Sequence, residues 1–398
     1  MSFKDFYQFV APTRVVAGRG LIEGIGFEFA KEGARRVLVV TDEVIRATGL
    51  VDRVEEGVRD GGLEVAGVFD GVPQDSDGAV VVACAQAARS AGADAFLAAG
   101  GGSVMDTAKA SNVIFTHGGE PREWEGYYGL PRAGDGMGRP EELAPLACIP
   151  TTAGTGSEVS FAAVIKDREE HIKFQVADFP MYPRLAVLDP EATRTLPPHI
   201  AAATGMDAMT HAVEGHVSSE GNPHASAYAL QALRLIRDNL ERAVSDPGDE
   251  DARGNMLIAA NLAIQPTSSG AIGIAHSLSH PCGAHFDVPH GVANAINLPG
   301  VIEFNAAGGE EIAGRYREIN EVMGLEAGGS GEDVGHALAE HVRALVARLG
   351  LPTRLSEVGV PESAIPVLVE GAEGDGCTLV NPREPTAEDF AELYAKAL

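Results

Sequence analysis

Phe96-Leu97-Ala98-Ala99-Gly100-Gly101-Gly102-Ser103 is the stretch on which the fold turns. An apolar run suited to one buried strand ends in three glycines, and a helical pattern begins at Ser103 and runs to about 115. The same alternation extends to both sides. Residues 37–41, 64–69, 94–98, 146–150 and 186–188 read as strands, and Leu50–Asp60, Gly78–Ala91 and 103–115 carry helical periodicity. Repeated βαβ units predict a parallel, Rossmann-like sheet with helices on both faces. Beyond Pro198 the pattern is helical throughout, including 201–218, 224–244, 251–263 and 332–349. The expectation is an α/β N-terminal domain, 1–190, followed by an all-α C-terminal domain, 191–398, with the boundary in the proline-rich segment 189–198. The Gly-, Pro- and charge-rich stretch 117–142, which holds Trp124, is expected to be a surface loop or flap.

A chain of 398 residues is long enough for two cores. No apolar run approaches the roughly 18–20 residues needed to span a bilayer. The opening residues have neither the basic nor the apolar region of a secretion signal, so the expected location is cytoplasmic. A net charge of −27 argues against nucleic acid or an anionic membrane as partner. Cys84, Cys148, Cys282 and Cys377 lack paired spacing and read as reduced thiols. Lysine is confined to Lys4, Lys31, Lys109, Lys166, Lys173 and Lys396, which gives weight to any lysine in a site.

The glycines after residue 99 let backbone approach a phosphate at a helix N-terminus, though a plain tight turn is the competing reading. Asp106 and Lys109 follow on the first helical turns. A second polar loop, Thr151-Thr152-Ala153-Gly154-Thr155-Gly156-Ser157-Glu158, leaves the carboxyl end of another strand. Open α/β sheets bind ligands at that edge; a solvated loop is the alternative. Asp42 closes the strand 37–41 and suits either a ribose hydroxyl, favouring NAD over NADP, or a helix N-cap.

The helical half carries a different chemistry. Asp207 and His211 are spaced i, i+4, which places both on one helix face. The interleaved Met206, Met209 and Val213 imply burial, and a buried carboxylate needs a cation. His276 and His280 repeat the spacing, and His290 follows Pro289. One carboxylate with three imidazoles suits Fe(II), Zn(II), Co(II) or Ni(II). Spacing leaves open which histidines bind, since His280 and His285 are also near. Glu214 and His216 read as supporting or surface residues.

Four motifs, GGGSVMD (100–106), IPTTAGTGSE (149–158), ATGMDAMTHAVE (203–214) and GIAHSLSHPCGAHFDVPHGVANA (273–295), resemble the iron-containing (group III) alcohol dehydrogenases. This family also holds lactaldehyde reductases and propanediol dehydrogenases. The likeness covers nearly the whole chain. It implies NAD as cofactor, a divalent metal (Fe(II) ahead of Zn(II)), a small alcohol or aldehyde as substrate, an active site between two domains, and a homo-oligomer of two or more chains. By motif the metal ligands would be Asp207, His211, His276 and His290, with His280 beside the nicotinamide as a proton relay. Gly101, Gly102 and Ser103 would hold the pyrophosphate, with Asp42, Asp106, Thr151, Thr152, Thr155 and Lys173 as further cofactor contacts. Departures at Gln74, Ala162, His216, His285 and the segment 261–270 keep substrate specificity from being copied from any one relative, and Cys377 matches a cysteine some relatives place near substrate. The rival reading is a metal-dependent lyase or hydrolase of the dehydroquinate synthase architecture.

Overall fold

The computed structural model describes residues 6–132, 141–170 and 172–398. Two compact units emerge: Ala11–Thr152 with Gly156–Leu196, and the described part of Met1–Val10 with Ala153–Thr155 and Pro197–Leu398.

The first unit contains strands β1 (Arg14–Ala17), β2 (Arg36–Val40), β3 (Glu64–Phe69), β4 (Ala95–Gly100), β5 (Gly126–Tyr127), β6 (Leu146–Pro150), β7 (Ala162–Asp167), β8 (Ile172–Ala177) and β9 (Leu185–Leu188). Its helices are α1 (Ile25–Ala30), α2 (Glu43–Ala47), α3 (Leu50–Asp60), α4 (Gly78–Ala91) and α5 (Gly102–His117). Six strands form a sheet in the order β1-β9-β6-β4-β2-β3, every pairing parallel. Strand alternation splits the core in two. Val37, Val39, Leu97 and Ala99 pack with Ile25, Phe29, Val51 and Val54 on one face. Leu38, Val40, Phe96 and Ala98 pack with Cys84, Ala88, Val104 and Met105 on the other. Each buried Val, Leu, Ile, Phe or Met side chain among these stabilises the fold by roughly 1.5–3 kcal/mol. Continuous apolar strands are what a sheet covered on both faces requires.

Two features depart from the reading of the sequence. Edge strand β1 has no long apolar run, because it alternates in burial and turns Arg14 outward to Glu28 and Glu32. A second sheet, β5-β8-β7, carries a β7–β8 hairpin in which Lys166 and Asp167 pair with Lys173 and Ile172. Its polar, mixed composition hides it from periodicity. In 117–142, a 3-10 turn (Pro121–Trp124) and β5 occupy part of the expected loop, and residues 133–140 lie outside the described residues. Trp124 Nε1 donates to Gly118 O at 3.0 Å.

The second unit is built from α6 (Pro198–Val217), α7 (Pro223–Ser245), α8 (Glu250–Ile264), α9 (Ile274–Phe286), α10 (His290–Ala306), α11 (Glu310–Met323), α12 (Gly331–Arg348), α13 (Ile365–Glu373) and α14 (Ala387–Ala397). Helix α6 is buried from Gly205 to Val217 on all sides, so its polar residues Asp207, His211 and Glu214 sit inside protein. A Cβ on Gly291 would lie 2.2 Å from Ala203 O, so only glycine lets the start of α10 rest directly on α6. That contact brings His290 beside Asp207. All four cysteines are buried, free thiols. Among the described residues no helix is long and apolar enough to cross a membrane.

Candidate active site

Asp207 from α6, His276 from α9 and His290 from α10 offer ligand atoms that all lie within 4.8 Å of one another. Asp207 Oδ1 is 3.5 Å from His290 Nε2, 3.9 Å from His276 Nε2 and 3.9 Å from His211 Nδ1. The His211 and His276 rings have centroids 4.5 Å apart. Asp207 and the histidines from two other helices therefore meet at one place, with His211 packed against Asp207 and His276 but outside that group of mutually close donors. Desolvation pulls His211 and His276 down to about 4, so both rings are neutral near pH 7 and hold lone pairs for a cation. His211 Nδ1 is buried without a hydrogen-bond partner. Coordination would remove that cost, and a carboxylate with three imidazoles matches the chemistry of a divalent transition metal.

Two residues complete this centre. Glu214, two turns after Asp207, accepts from Ala275 N at 2.6 Å through Oε1 and lies 2.5 Å from His276 Nδ1 through Oε2. Burial pushes its carboxyl up to about 7, against the opposing bond from Ala275 N. Fixing Nδ1 in this way turns Nε2 of His276 toward Asp207. Asn294, one turn after His290 on α10, donates from Nδ2 to Asp207 Oδ1 at 2.8 Å and lies 3.2 Å from His290 Nε2. Its spacing from His290 was the available signal. His280 stacks on His290 with centroids 5.3 Å apart, and its Nδ1 meets Asp375 Oδ2 at 2.6 Å. Asp375 follows α13 and has no sequence signature tying it to α9. His216 is wholly buried at the end of α6, with Nε2 3.4 Å from Glu318 Oε2. His285 is exposed near the end of α9 and is not one of the three clustered donors.

In the α/β unit the chain passes from β2 to β3 on one side and returns to β4 on the other. The carboxyl ends of β2 and β4 thus bound the topological switch point, where open sheets bind ligands. Thr41 Oγ1 donates to Ala99 O at 2.8 Å across this gap. Asp42 lies at its rim and caps α2 by accepting from Ile45 N at 2.8 Å, which leaves its second carboxylate oxygen outside that bond. Gly101 and Gly102 open α5, and a Cβ on Gly100 would meet Val104 at 2.5 Å, so the tight turn from strand to helix demands glycine there. Ser103 Oγ accepts from Asp75 N at 3.2 Å, and Asp75 Oδ1 accepts from Lys173 Nζ at 2.7 Å. Asp75 has a left-handed backbone, φ +53°, which Asp tolerates better than most residues. Lys173 is thereby anchored toward the start of α5.

Thr151 N donates to Gly100 O at 3.0 Å, and Thr152 lies against Gly101. Asp42, Gly101, Gly102, Ser103, Thr151, Thr152 and Lys173 accordingly belong to one edge of one unit. Thr155 groups with the helical unit instead. Asp106 turns inward: its carboxylate accepts from Ser157 Oγ at 2.6 Å and Val164 N at 3.0 Å. Lys109 beside it is wholly buried and donates to Ser157 Oγ, Ser160 Oγ and Ala162 O at 2.6–2.8 Å. Both residues tie α5 to the loop after β6.

Comparison with known proteins agrees with these motifs. The family model described as iron-containing alcohol dehydrogenase matches residues 12–190, and the one described as Fe-containing alcohol dehydrogenase family, C-terminal, matches residues 201–398. Lactaldehyde reductase of Escherichia coli (strain K12) is 37% identical over 381 residues, covering 96% of both chains. NAD-dependent methanol dehydrogenase of Bacillus methanolicus is 34% identical over 396 residues, covering 98% of this chain and 99% of the relative. A solved structure of 1,3-propanediol oxidoreductase superposes with a TM-score of 0.92 at 32% identity, covering 99% of this chain and 100% of the other. With both halves matched and full-length relatives above 30% identity, the chain belongs to the iron-containing alcohol dehydrogenase family.

Proposed function

We propose that this enzyme is an NAD-dependent, iron-dependent alcohol dehydrogenase that interconverts small alcohols or diols and their aldehydes. The observation that carries the reading is the convergence of Asp207, His276 and His290 on one point, with His211 against them and Glu214 fixing His276. When bound, the metal would act as a Lewis acid on the substrate oxygen, and NAD would exchange a hydride with the substrate carbon. Asp207, His211, His276 and His290 would hold the metal, and Asn294 would hold Asp207 in place.

Gly101, Gly102 and Ser103 would present backbone N–H groups at the α5 N-terminus to the pyrophosphate. Thr151, Thr152, Thr155 and Lys173 would supply further polar contacts, and Asp106 would support the loop through Ser157. The uncapped oxygen of Asp42 would accept from a ribose hydroxyl and repel an added 2′-phosphate, which favours NAD. Oxidation of the alcohol releases one hydride and one proton; His280 would take the proton, either directly or through a cofactor hydroxyl. Homologues named for methanol dehydrogenation and lactaldehyde reduction support a small substrate.

The test mixes the protein with Fe(II), NAD and a panel of short alcohols and diols, and follows NADH absorbance. NADH must appear with at least one alcohol and vanish on chelation. Metal-dependent turnover of substrate without NADH would place the chemistry with lyases or hydrolases.

A further inference from the structure

We infer that Asp375 is a positioning residue that sets the tautomer of His280, so that Nδ1 carries the proton and Nε2 is left as the proton-exchanging nitrogen. This rests on the proposed role of His280 as relay, and it adds a residue supplied by a distant segment of the chain.

Both oxygens of Asp375 are committed to donors. Oδ2 faces His280 Nδ1 at 2.6 Å. Oδ1 accepts from Cys377 N at 2.8 Å and lies 3.4 Å from Ser277 Oγ. The Cys377 thiol lies close to the same carboxylate. The side chain of Asp375 is only 16% exposed, and it begins a 3-10 turn (Gly376–Val380) that is held to α9 by a hydrogen bond between Thr378 Oγ1 and Ser277 Oγ at 2.9 Å. The carboxylate is therefore held in place, with the Cys377 N–H donating to the oxygen that His280 does not face. A ring nitrogen facing such an acceptor at 2.6 Å must itself be the donor. The opposite ring nitrogen is then fixed as the site of proton exchange. Burial would raise the Asp375 carboxyl, but the hydrogen bonds from His280 and from Cys377 N offset it, so the acid stays below its usual range and remains an acceptor.

This arrangement also gives Cys377 a place. Its thiol is buried and pushed well above the usual thiol range by desolvation and by Asp375 beside it, which is the setting of an inert thiol instead of a nucleophile.

The geometry makes an unusual demand on the conservative substitution. In Asp375→Asn one oxygen becomes an NH2 group. The Cys377 N–H keeps the remaining oxygen, so the amide nitrogen faces His280 Nδ1 and forces that nitrogen to accept. His280 then carries its proton on Nε2. The test uses protein loaded with Zn(II), which is diamagnetic, and reads His280 by long-range 1H–15N correlation, assigned by its loss in His280→Gln. Wild-type protein must show a protonated Nδ1 and unprotonated Nε2, and Asp375→Asn must reverse the two.

With Fe(II) and NAD, Asp375→Asn and Asp375→Ala must both lower kcat by about 10- to 100-fold, as for other supporting carboxylates, with metal content and the KM for NAD unchanged. Wild-type His280 protonated on Nε2 overturns the inference whether or not the variants fold, and so does an Asn variant with normal kcat. The tautomer is read without turnover, so absence of NADH formation by the wild type would sink the proposed reaction and leave the tautomer assignment standing.

Discussion

At the level of single residues, the centre depends on carboxylates that hold rings. Glu214 binds Ala275 N and His276 with its two oxygens, so its loss frees the ring to rotate. Glu214→Ala is expected to weaken Fe(II) or Zn(II) binding by about 10- to 100-fold, read by chelator competition; an unchanged affinity would show that His276 needs no such support. Lys109 is the complementary case. It is wholly buried, with its donors spent on two hydroxyls and a carbonyl. Lys109→Met removes them and strands Asp106 beside an apolar side chain. Thermal unfolding should show a loss of about 3–5 kcal/mol, the size of breaking a buried charge pair, whereas a loss below about 1 kcal/mol would be what a mere surface pair contributes. Much of the candidate site was legible from spacing, because Asp207 and His211 share a helix face and His276 and His280 share another. Glu214 lies on the Asp207 face too and reads as a supporting or surface residue, whereas Asn294, on the His290 face, is of a type that announces no role. Asp375 was beyond reach, since only tertiary packing brings residues 280 and 375 together.

Among the elements, the buried ones were the easiest to read. Strands β2, β4, β6 and β9 are apolar runs because both faces of the sheet are covered, and Leu50–Asp60 and Gly78–Ala91 match α3 and α4 residue for residue. Strands β1, β5, β7 and β8 were not legible, because short half-exposed strands carrying Arg14, Lys166 and Lys173 lack any clean period. The element-scale hinge of the metal centre is the crossing of α10 on α6. Gly291→Ala places a methyl group against Ala203 O, with no flexible side chain to yield. The start of α10 must then move and carry His290 away from Asp207. A destabilisation of about 1–3 kcal/mol is expected from overpacking, together with weaker metal binding. Full stability with full metal content would refute the crossing as the device that places His290.

For the whole molecule, the donors gather in the helical unit and the glycine turn lies in the α/β unit, so metal and cofactor should protect different segments. Hydrogen exchange should slow in α6, α9 and α10 when metal is added, and in the turn from Gly100 to Lys109 and in β2 when NAD is added; protection of the same peptides by both would contradict the division. Metal at about 1,000 times its Kd should also stabilise the protein by about 4 kcal/mol, seen as a rise in Tm that chelator reverses. The net charge of −27 adds an attraction for cations and none for nucleic acid.

The claim on which the rest depends is that Asp207, His211, His276 and His290 close on one ion. Anomalous diffraction at the iron edge, from crystals of the Fe(II)-loaded protein, tests it most directly. The account predicts a single peak within bonding distance of those four side chains. A peak held by His280, Asp375 and Cys377, or one away from Asp207, would contradict it.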